Sequence, residues 1–179
     1  MLKIFKDSEP LLRKRAEQVS LPLSDSDREL ALAMLEHLKE SQDPLFAEEH
    51  NLRPGVGLAA PQVGESKQII VVHIPRGKTE RLTYVLANPI IISSSVRRAY
   101  LRSGEGCLSV DEDHPGHVYR HYKIRVKAFD ILNNEEVEIN TFGYPAIVLQ
   151  HEIDHLHGVL FYDRINEENK VRYPDALSL

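Results

Sequence analysis

The segment at residues 144–158 constrains the fold more than any other, and it reads YPAIVLQHEIDHLHG. Pro145 suits a first helical position and Gly158 suits a C-terminal stop, so we predict a helix from about Pro145 to about His157. Apolar residues cover nearly all of its faces, which is typical of a helix buried in the middle of a domain. Two histidines and a glutamate on such a helix are costly to bury unless a cation pairs with them.

His151 and His155 lie four residues apart, so their imidazoles are predicted about 40° apart on one helix face. Two ring nitrogens can then reach one metal ion. Glu152 is one step round the helix, where it can act on a water at that ion without binding the ion itself. This HExxH pattern predicts metal-assisted hydrolysis, and it leaves a third protein ligand to be found.

The third ligand is not supplied by the residues that follow the helix. The extended pattern HExxHxxGxxH needs a histidine where this chain has Phe161, and His157 lies about 200° round the helix from His155. The acids Glu167 and Glu168 belong to a polar, poorly periodic tail. Upstream, the segment SGEGCLSV contains Cys107, the only cysteine. Thiolate with two imidazoles suits a first-row divalent ion, although an inert buried cysteine is the alternative.

A third segment, GVGLAAPQVG at residues 55–64, is rich in glycine. It lacks the third glycine, the GK[ST] sequence and the surrounding β-α-β unit of a nucleotide loop. Glycine here favours the close approach of another chain, and the Gln62 amide can donate a hydrogen bond to an oxyanion. Taken alone, the segment could equally be a loop rich in turns.

Composition excludes several classes of protein. A chain of 179 residues with 42% hydrophobic content predicts one domain at 1–179. A net charge of −5 and a pI near 6.0 argue against non-specific nucleic-acid binding. We find no signal peptide and no stretch that could cross a membrane. One cysteine excludes an internal disulfide, which agrees with a cytoplasmic protein.

The pattern along the chain predicts an α+β fold. A capping box at Ser26 and Glu29 followed by an apolar stripe predicts an N-terminal helix. With no helices between the predicted strands, we expect mostly antiparallel β-sheets packed around the central buried HEIDH helix. The predicted strands are Gln68–Ile74, Tyr84–Ile92, Val96–Leu101, Lys123–Asp130 and Glu135–Asn140.

Three segments together carry a family resemblance: GVGLAAPQ at 55–62, EGCLS at 105–109 and QHEIDH at 150–155. In this order they resemble the motifs of bacterial peptide deformylase, and the resemblance covers nearly the whole chain. The chain is most similar to the second bacterial class. It carries the long insert SQDPLFAEEHNLRPGVG before the first motif and SVDEDHPGHVYRH after the start of the second.

The resemblance implies a metallohydrolase that removes the N-formyl group from the initiator methionine of nascent polypeptides and releases formate. It implies that Cys107, His151 and His155 hold one divalent ion, which activates a water. Glu152 would take a proton from that water and deliver it to the leaving amine. The Gln62 amide and the backbone N–H of Leu108 would stabilise the oxyanion.

The resemblance also implies substrate contacts and partners. Backbone near Val56, Gly57 and Gly106 would pair with the substrate as an added strand. Glu105 is expected to pair with Arg120 as structural support, against the alternative of a surface acid. A methionine pocket is expected beside His151, where the helical wheel also places three of its proposed lining residues; the lining set is Val56, Tyr144, Ile147 and Val148.

The resemblance favours Fe(II) in the cell, whereas Zn, Ni or Co would also suit this donor set. The expected partner is the N-formyl-methionyl nascent peptide. A transient ribosome contact is compatible with that substrate, and direct nucleic-acid or membrane binding is not expected.

Three other functions remain open at this stage. A cysteine hydrolase would use Cys107 as nucleophile and His151 as base. A metal-stabilised binding module would use the same ligands, but it would not need Glu152 and would fill the fourth coordination position. An HExxH metallo-endopeptidase is the third alternative.

Overall fold

The computed structural model describes residues 2–77 and 79–179. Its α-helices are α1 Asp25–Gln42, α2 Pro44–His50, α3 Tyr144–His155 and α4 Glu168–Arg172. Short 3-10 helices cover Pro10–Arg13, Ala60–Val63 and Phe161–Arg164. The strands are β1 Gly57–Ala59, β2 Ile69–Arg76, β3 Glu80–Ser94, β4 Arg98–Tyr100, β5 Arg120–His121, β6 Lys123–Asp130, β7 Glu135–Phe142 and β8 Leu177–Ser178.

Two sheets form, and most of their pairings are antiparallel. The larger has the order β1-β2-β3-β6-β7, in which every neighbouring pair is antiparallel. The smaller has the order β5-β4-β8, in which β4 and β8 are parallel. The predicted α+β class with mostly antiparallel sheets is confirmed.

Alternation along β2 explains how the larger sheet is covered on both faces. Ile70, Val72 and Ile74 belong to the apolar cluster that includes the buried side of α3. Ile69 and Val71 point the other way, into the cluster formed with α1, because successive side chains of a strand alternate between faces. The larger sheet therefore lies between α1 and α3. The helix α3 is in the interior, as predicted.

The helix α3 begins one residue before the predicted start and ends two before the predicted end. Gly158 has a φ of +72°, a left-handed conformation that glycine adopts without strain and that stops the helix. The Gln150 side chain pairs with both backbone groups of His121, at 3.0 and 2.9 Å, and thereby ties α3 to β5.

Several predicted boundaries were wrong. The cap of α1 is Ser24, whose Oγ accepts from the Asp27 N–H at 3.2 Å, and not Ser26. Ser26 already lies within the first helical turn, so the predicted capping box with Glu29 does not form. The strand predicted from Val96 is shorter, because Val96 lies outside β4 and is 95% exposed. The sequence analysis also missed α2, α4, β1, β5 and β8.

None of the helices in the described residues combines the length and the apolar character that a membrane crossing requires.

Candidate metal centre

The two histidines of α3 are buried beside each other. His151 is 9% exposed and His155 is 1% exposed, and their ring centroids lie 5.0 Å apart. The helical spacing puts both rings on the face that turns toward residues 105–110. The Nδ1 atom of His151 is bonded to the Glu105 carboxylate at 2.8 Å, which leaves Nε2 of that ring for a metal.

Cys107 comes to the histidines from a turn and not from a regular element. The turn spans 107–110, with the Val110 N–H donating to the Cys107 carbonyl at 3.2 Å. The Sγ atom lies 3.3 Å from Nε2 of His155. Ligand atoms of Cys107, His151 and His155 all lie within 4.8 Å of one another.

This donor set fits a metal ion. One sulfur and two imidazole nitrogens, all buried, form the three-ligand arrangement that leaves a coordination position open for catalysis. First-row divalent ions accept such soft and borderline ligands. The structure therefore brings together all three ligands that the sequence predicted.

A network of charged side chains contacts the Nδ1 side of His151 through Glu105. Arg120 donates to both Glu105 oxygens, at 2.6 and 2.9 Å, and its other arm donates to Asp154 at 2.8 Å. Arg164 closes the network with two further bonds to Asp154, each 2.5 Å. Burial raises the pKa of the Glu105 carboxyl, but the bonds from His151 and Arg120 outweigh it and lower that pKa to about 2. Glu105 is therefore an anion that fixes the ring of His151.

The sequence suggested Asp154 only as a possible partner of a metal-bound imidazole, and it gave no role to Arg164. Asp154 lies on the side of α3 away from the ligands, and it contributes by holding Arg120. No local spacing signals this, because Arg164 comes from the 3-10 helix after α3 and Arg120 from β5.

Glu152 is 4% exposed and lies in the same cavity as His151. Among the described residues its Oε2 atom has no hydrogen-bond partner. Burial raises the pKa of its carboxyl to about 7, against the opposing charges of His151 and Arg120. A side chain of this kind suits proton transfer near neutral pH.

Gly57 has a steric role beside Glu152 that the sequence analysis did not identify. A Cβ atom placed on Gly57 would overlap the Glu152 carboxylate. The glycine was predicted to admit a substrate backbone, and in the structure it also makes room for this carboxylate. Either role requires the absence of a side chain.

Gln62 and Leu108 both lie next to Cys107, the first through its side chain and the second as the following residue in the chain. Gln62 is 1% exposed, and its Oε1 accepts from the Ala59 N–H at 2.8 Å. Because the carbonyl end is fixed, the NH₂ group points toward Cys107 Sγ at 3.4 Å and Ser109 Oγ at 3.1 Å. The N–H of Leu108 donates to no backbone acceptor within the described residues.

A cavity of ≈ 740 Å³ opens in front of the cluster. Every residue that the resemblance implies for substrate binding lines this cavity: Val56, Gly57, Gly106, Tyr144, Ile147 and Val148. The cavity lining also includes the proposed ligands Cys107 and His151 and the proposed proton carrier Glu152. Further lining residues are Gln62, Leu108 and Glu105. Arg53 also lines this cavity, although no sequence signal had marked it.

Comparisons with known proteins agree with this geometry. The family model described as Polypeptide deformylase matches residues 1–171. The chain is 52% identical over 175 residues to "Peptide deformylase 2" of Bacillus cereus, covering 98% of this chain and 95% of that protein.

Solved structures give the same result. A crystal structure of peptide deformylase from Thermus thermophilus has a TM-score of 0.74 at 33% identity, covering 97% of this chain and 90% of that one. A Met-ala-ser bound peptide deformylase from Acinetobacter baumannii has a TM-score of 0.73 at 35% identity, covering 92% and 98%. The chain therefore belongs to the polypeptide deformylase family.

Proposed function

We propose that this protein hydrolyses the formyl amide of N-formyl-methionyl nascent peptides and releases formate and a free amine. The observation that carries the proposal is the buried cluster of Cys107, His151 and His155 beside the buried carboxyl of Glu152, whose Oε2 has no hydrogen-bond partner among the described residues. Membership of the deformylase family selects this amide among the bonds that such a centre could hydrolyse.

Cys107, His151 and His155 would hold one divalent metal ion, for which we propose Fe(II) in the cell. When bound, such an ion supplies Lewis acidity, which lowers the pKa of a water and polarises a carbonyl. Glu105 accepts a hydrogen bond from the Nδ1–H of His151. This bond keeps the ring in the tautomer whose Nε2 is free to bind a metal.

Glu152 would move the proton. Its carboxylate takes a proton from the attacking water and gives it to the amine nitrogen as the C–N bond to the formyl carbon breaks. Gly57 leaves space for that carboxylate, and the hydrophobic surroundings keep its proton affinity near that needed at neutral pH.

Gln62 and Leu108 would stabilise the negative charge that develops on the formyl oxygen. The Gln62 NH₂ group lies 3.4 Å from Cys107 Sγ, and the Leu108 N–H belongs to the next residue, so both donors are beside the proposed metal site and can donate to that oxygen. The bond from the Ala59 N–H holds the Gln62 side chain in place before substrate arrives, so its orientation requires no reorganisation during the reaction.

Substrate would enter as an extended strand. β1 is the terminal strand of the larger sheet, and the backbone of Val56, Gly57 and Gly106 offers groups with which a peptide can pair. Tyr144, Ile147 and Val148 line the cavity on one face of α3, and we assign the methionine side chain to that face together with Val56.

Residues 1–179 are proposed as one catalytic domain, because the centre takes ligands from α3 and from the turn at 107–110, which are far apart in the chain. Nascent peptides are made in the cytoplasm, so we propose that compartment and a transient contact with the ribosome. No direct nucleic-acid or membrane binding is proposed.

One assay tests the reaction against its alternatives. The protein is incubated with formyl-Met-Ala-Ser, with and without a chelator, and formate and peptide fragments are quantified. We expect formate release that stops with chelator and returns with Fe(II) under anaerobic conditions. Activity that survives chelator would support a cysteine hydrolase instead. Cleavage of the Met–Ala bond would support an endopeptidase, and specific substrate binding without turnover would support a binding module.

A further inference from the structure

Arg53 lies in the insert that distinguishes the second bacterial class, and its guanidinium binds the turn that carries Cys107. Both terminal nitrogens of Arg53 donate to the Val110 carbonyl, at 3.1 and 3.2 Å. One of them also donates to the Cys107 carbonyl. Cys107 and Val110 are the first and last residues of the turn. One side chain therefore joins both ends of the turn, and its contact with Asp111 is longer, at 3.4 Å.

The backbone before and after Arg53 is fixed. Pro54 restricts the residue before it to extended conformations, and the Gly55 carbonyl accepts from Gln42 at 2.8 Å. The Gly55 N–H donates to Ser41 at 3.3 Å. Because α1 holds Gly55, two residues after Arg53, the Arg53 side chain reaches the turn from a defined position.

The bond to Cys107 determines the direction of the Leu108 N–H. The Cys107 carbonyl and the Leu108 N–H belong to one peptide unit, which is planar and trans, so the two groups point in opposite directions. Arg53 and the Val110 N–H both donate to the Cys107 carbonyl and fix its direction. The Leu108 N–H points the opposite way from that carbonyl, has no backbone acceptor within the described residues, and belongs to a residue that lines the cavity.

The same contact also strengthens the donor. A cation bound to a peptide oxygen draws electron density from the amide, and hydrogen bonds in a chain polarise one another. The Arg53 side chain is 48% exposed, so solvent weakens its electrostatic effect. We therefore expect its main contribution to be geometric, through two contacts that an isolated charge could not make together.

Lys6 offers a matched comparison within the same turn. Its Nζ donates to the Leu108 carbonyl at 3.1 Å and to Asp111 at 2.7 Å. That carbonyl belongs to the next peptide unit, whose N–H is that of Ser109. Lys6 therefore holds the turn with similar exposure, 45%, but it does not orient the proposed oxyanion donor.

We infer that Arg53 is a positioning residue of the reaction: it holds the Cys107–Leu108 peptide so that the Leu108 N–H is presented to the formyl oxygen. The inference rests on the proposed function for its effect on turnover. The orientation of the peptide itself can be measured without turnover.

The test compares Arg53→Met, Arg53→Lys and Lys6→Met with the unmodified chain, all loaded with the same metal. Formyl-Met-Ala-Ser turnover gives kcat and KM, elemental analysis gives metal per chain, and ¹⁵N-resolved NMR gives the Leu108 amide proton shift. Arg53→Met should lower kcat by about 10- to 100-fold, less than the roughly 10²- to 10³-fold loss for removal of one oxyanion donor, because the Leu108 N–H is still present. Metal content and KM should hold, and the Leu108 amide signal should move upfield.

The two other variants decide what the effect means. Lys6→Met should lower kcat by less than about fivefold, as expected for an exposed ion pair, and should leave the Leu108 signal in place. Arg53→Lys should recover only part of the loss, because an ammonium lacks the planar, rigid arrangement of donors with which the guanidinium holds both carbonyls.

Three outcomes would overturn the inference. The first is a Leu108 amide that does not move in Arg53→Met. The second is an equal loss of kcat in Lys6→Met, which would indicate general loosening of the turn. The third is loss of metal with activity, which would make Arg53 a support for the Cys107 ligand. Absence of formate release by the unmodified chain would instead refute the proposed function, and the NMR comparison would still report on the peptide.

Discussion

The two segments that supply the metal ligands are built in different ways. In α3, helical periodicity sets the positions of the His151 and His155 side chains. The helix backbone that carries them makes its hydrogen bonds within the helix. In the turn at 107–110, Cys107 depends on contacts from Arg53, Lys6 and Gln62, which lie 45 to about 100 positions earlier in the chain.

The helix and the turn therefore position their metal ligands in two different ways. A helix carries its own geometry, so a change at one position is absorbed by neighbouring turns. A turn has few bonds of its own, and its carbonyls are held from outside. We therefore expect substitutions around α3 to act on stability or on one chemical step, and substitutions around the turn to act on metal binding and charge stabilisation. The following predictions are ordered by their effect on turnover.

Cys107→Ala should have the largest effect, because it removes the only ligand that the turn contributes. We expect loss of tightly bound metal and of all formate release, with α3 unchanged by circular dichroism. Metal per chain by elemental analysis is the measurement. A variant that kept one metal per chain would show that α3 alone holds the ion.

Glu152→Gln should separate metal binding from proton transfer on α3. The substitution is nearly isosteric and removes the proton acceptor, so we expect kcat to fall by about 10⁴-fold, the upper range for general acid–base catalysis. Metal content should remain at the level of the unmodified chain. If metal and activity were lost together, Glu152 would be a ligand and the role of the turn would need revision.

Gln62→Leu should lower kcat by about 10²- to 10³-fold, as for removal of one oxyanion donor. The Gln62 NH₂ group is aimed by its bond to Ala59, and its charge-stabilising role exists only in the transition state. Steady-state kinetics with formyl-Met-Ala-Ser provide the check. A raised KM at constant kcat would make Gln62 an ordinary binding residue.

Leu149→Ala should leave turnover per folded molecule unchanged while lowering stability. Leu149 is fully buried between α3 and the sheet, so its truncation should reduce the free energy of unfolding by about 2–5 kcal/mol. Urea unfolding is the measurement, and Leu45→Ala, at a position 81% exposed, is the control with almost no effect. A large loss of kcat in Leu149→Ala would mean that α3 transmits packing changes to the site.

Sequence reasoning succeeded where the information was local. The bounds predicted for the strand Lys123–Asp130 are those of β6, and the buried helix with His151 and His155 lies within two residues of its predicted ends. Both follow from periodicity, which depends only on the geometry of a regular element.

The parts that were missed depend on distant partners. β1 and β5 have three and two residues, too few for an alternating pattern to be detected. Arg164 reaches Asp154 only because the chain after α3 turns back over that helix. Two serines two residues apart gave similar local signals, but Ser24 rather than Ser26 caps α1, and Asp27 accepts from the Ser24 hydroxyl as well as donating to it.

The position of β1 has a consequence for how the protein avoids self-association. The end of a sheet carries unpaired backbone groups, and an open edge can recruit the edge of another copy and start aggregation. Of the two edges of the larger sheet, the one at β1 is only three residues long, its Leu58 and Ala59 are buried, and Val56 and Gly57 line the cavity beside α3. So short an edge offers little to the sheet of a second molecule, whereas a single extended chain needs only a few backbone groups with which to pair.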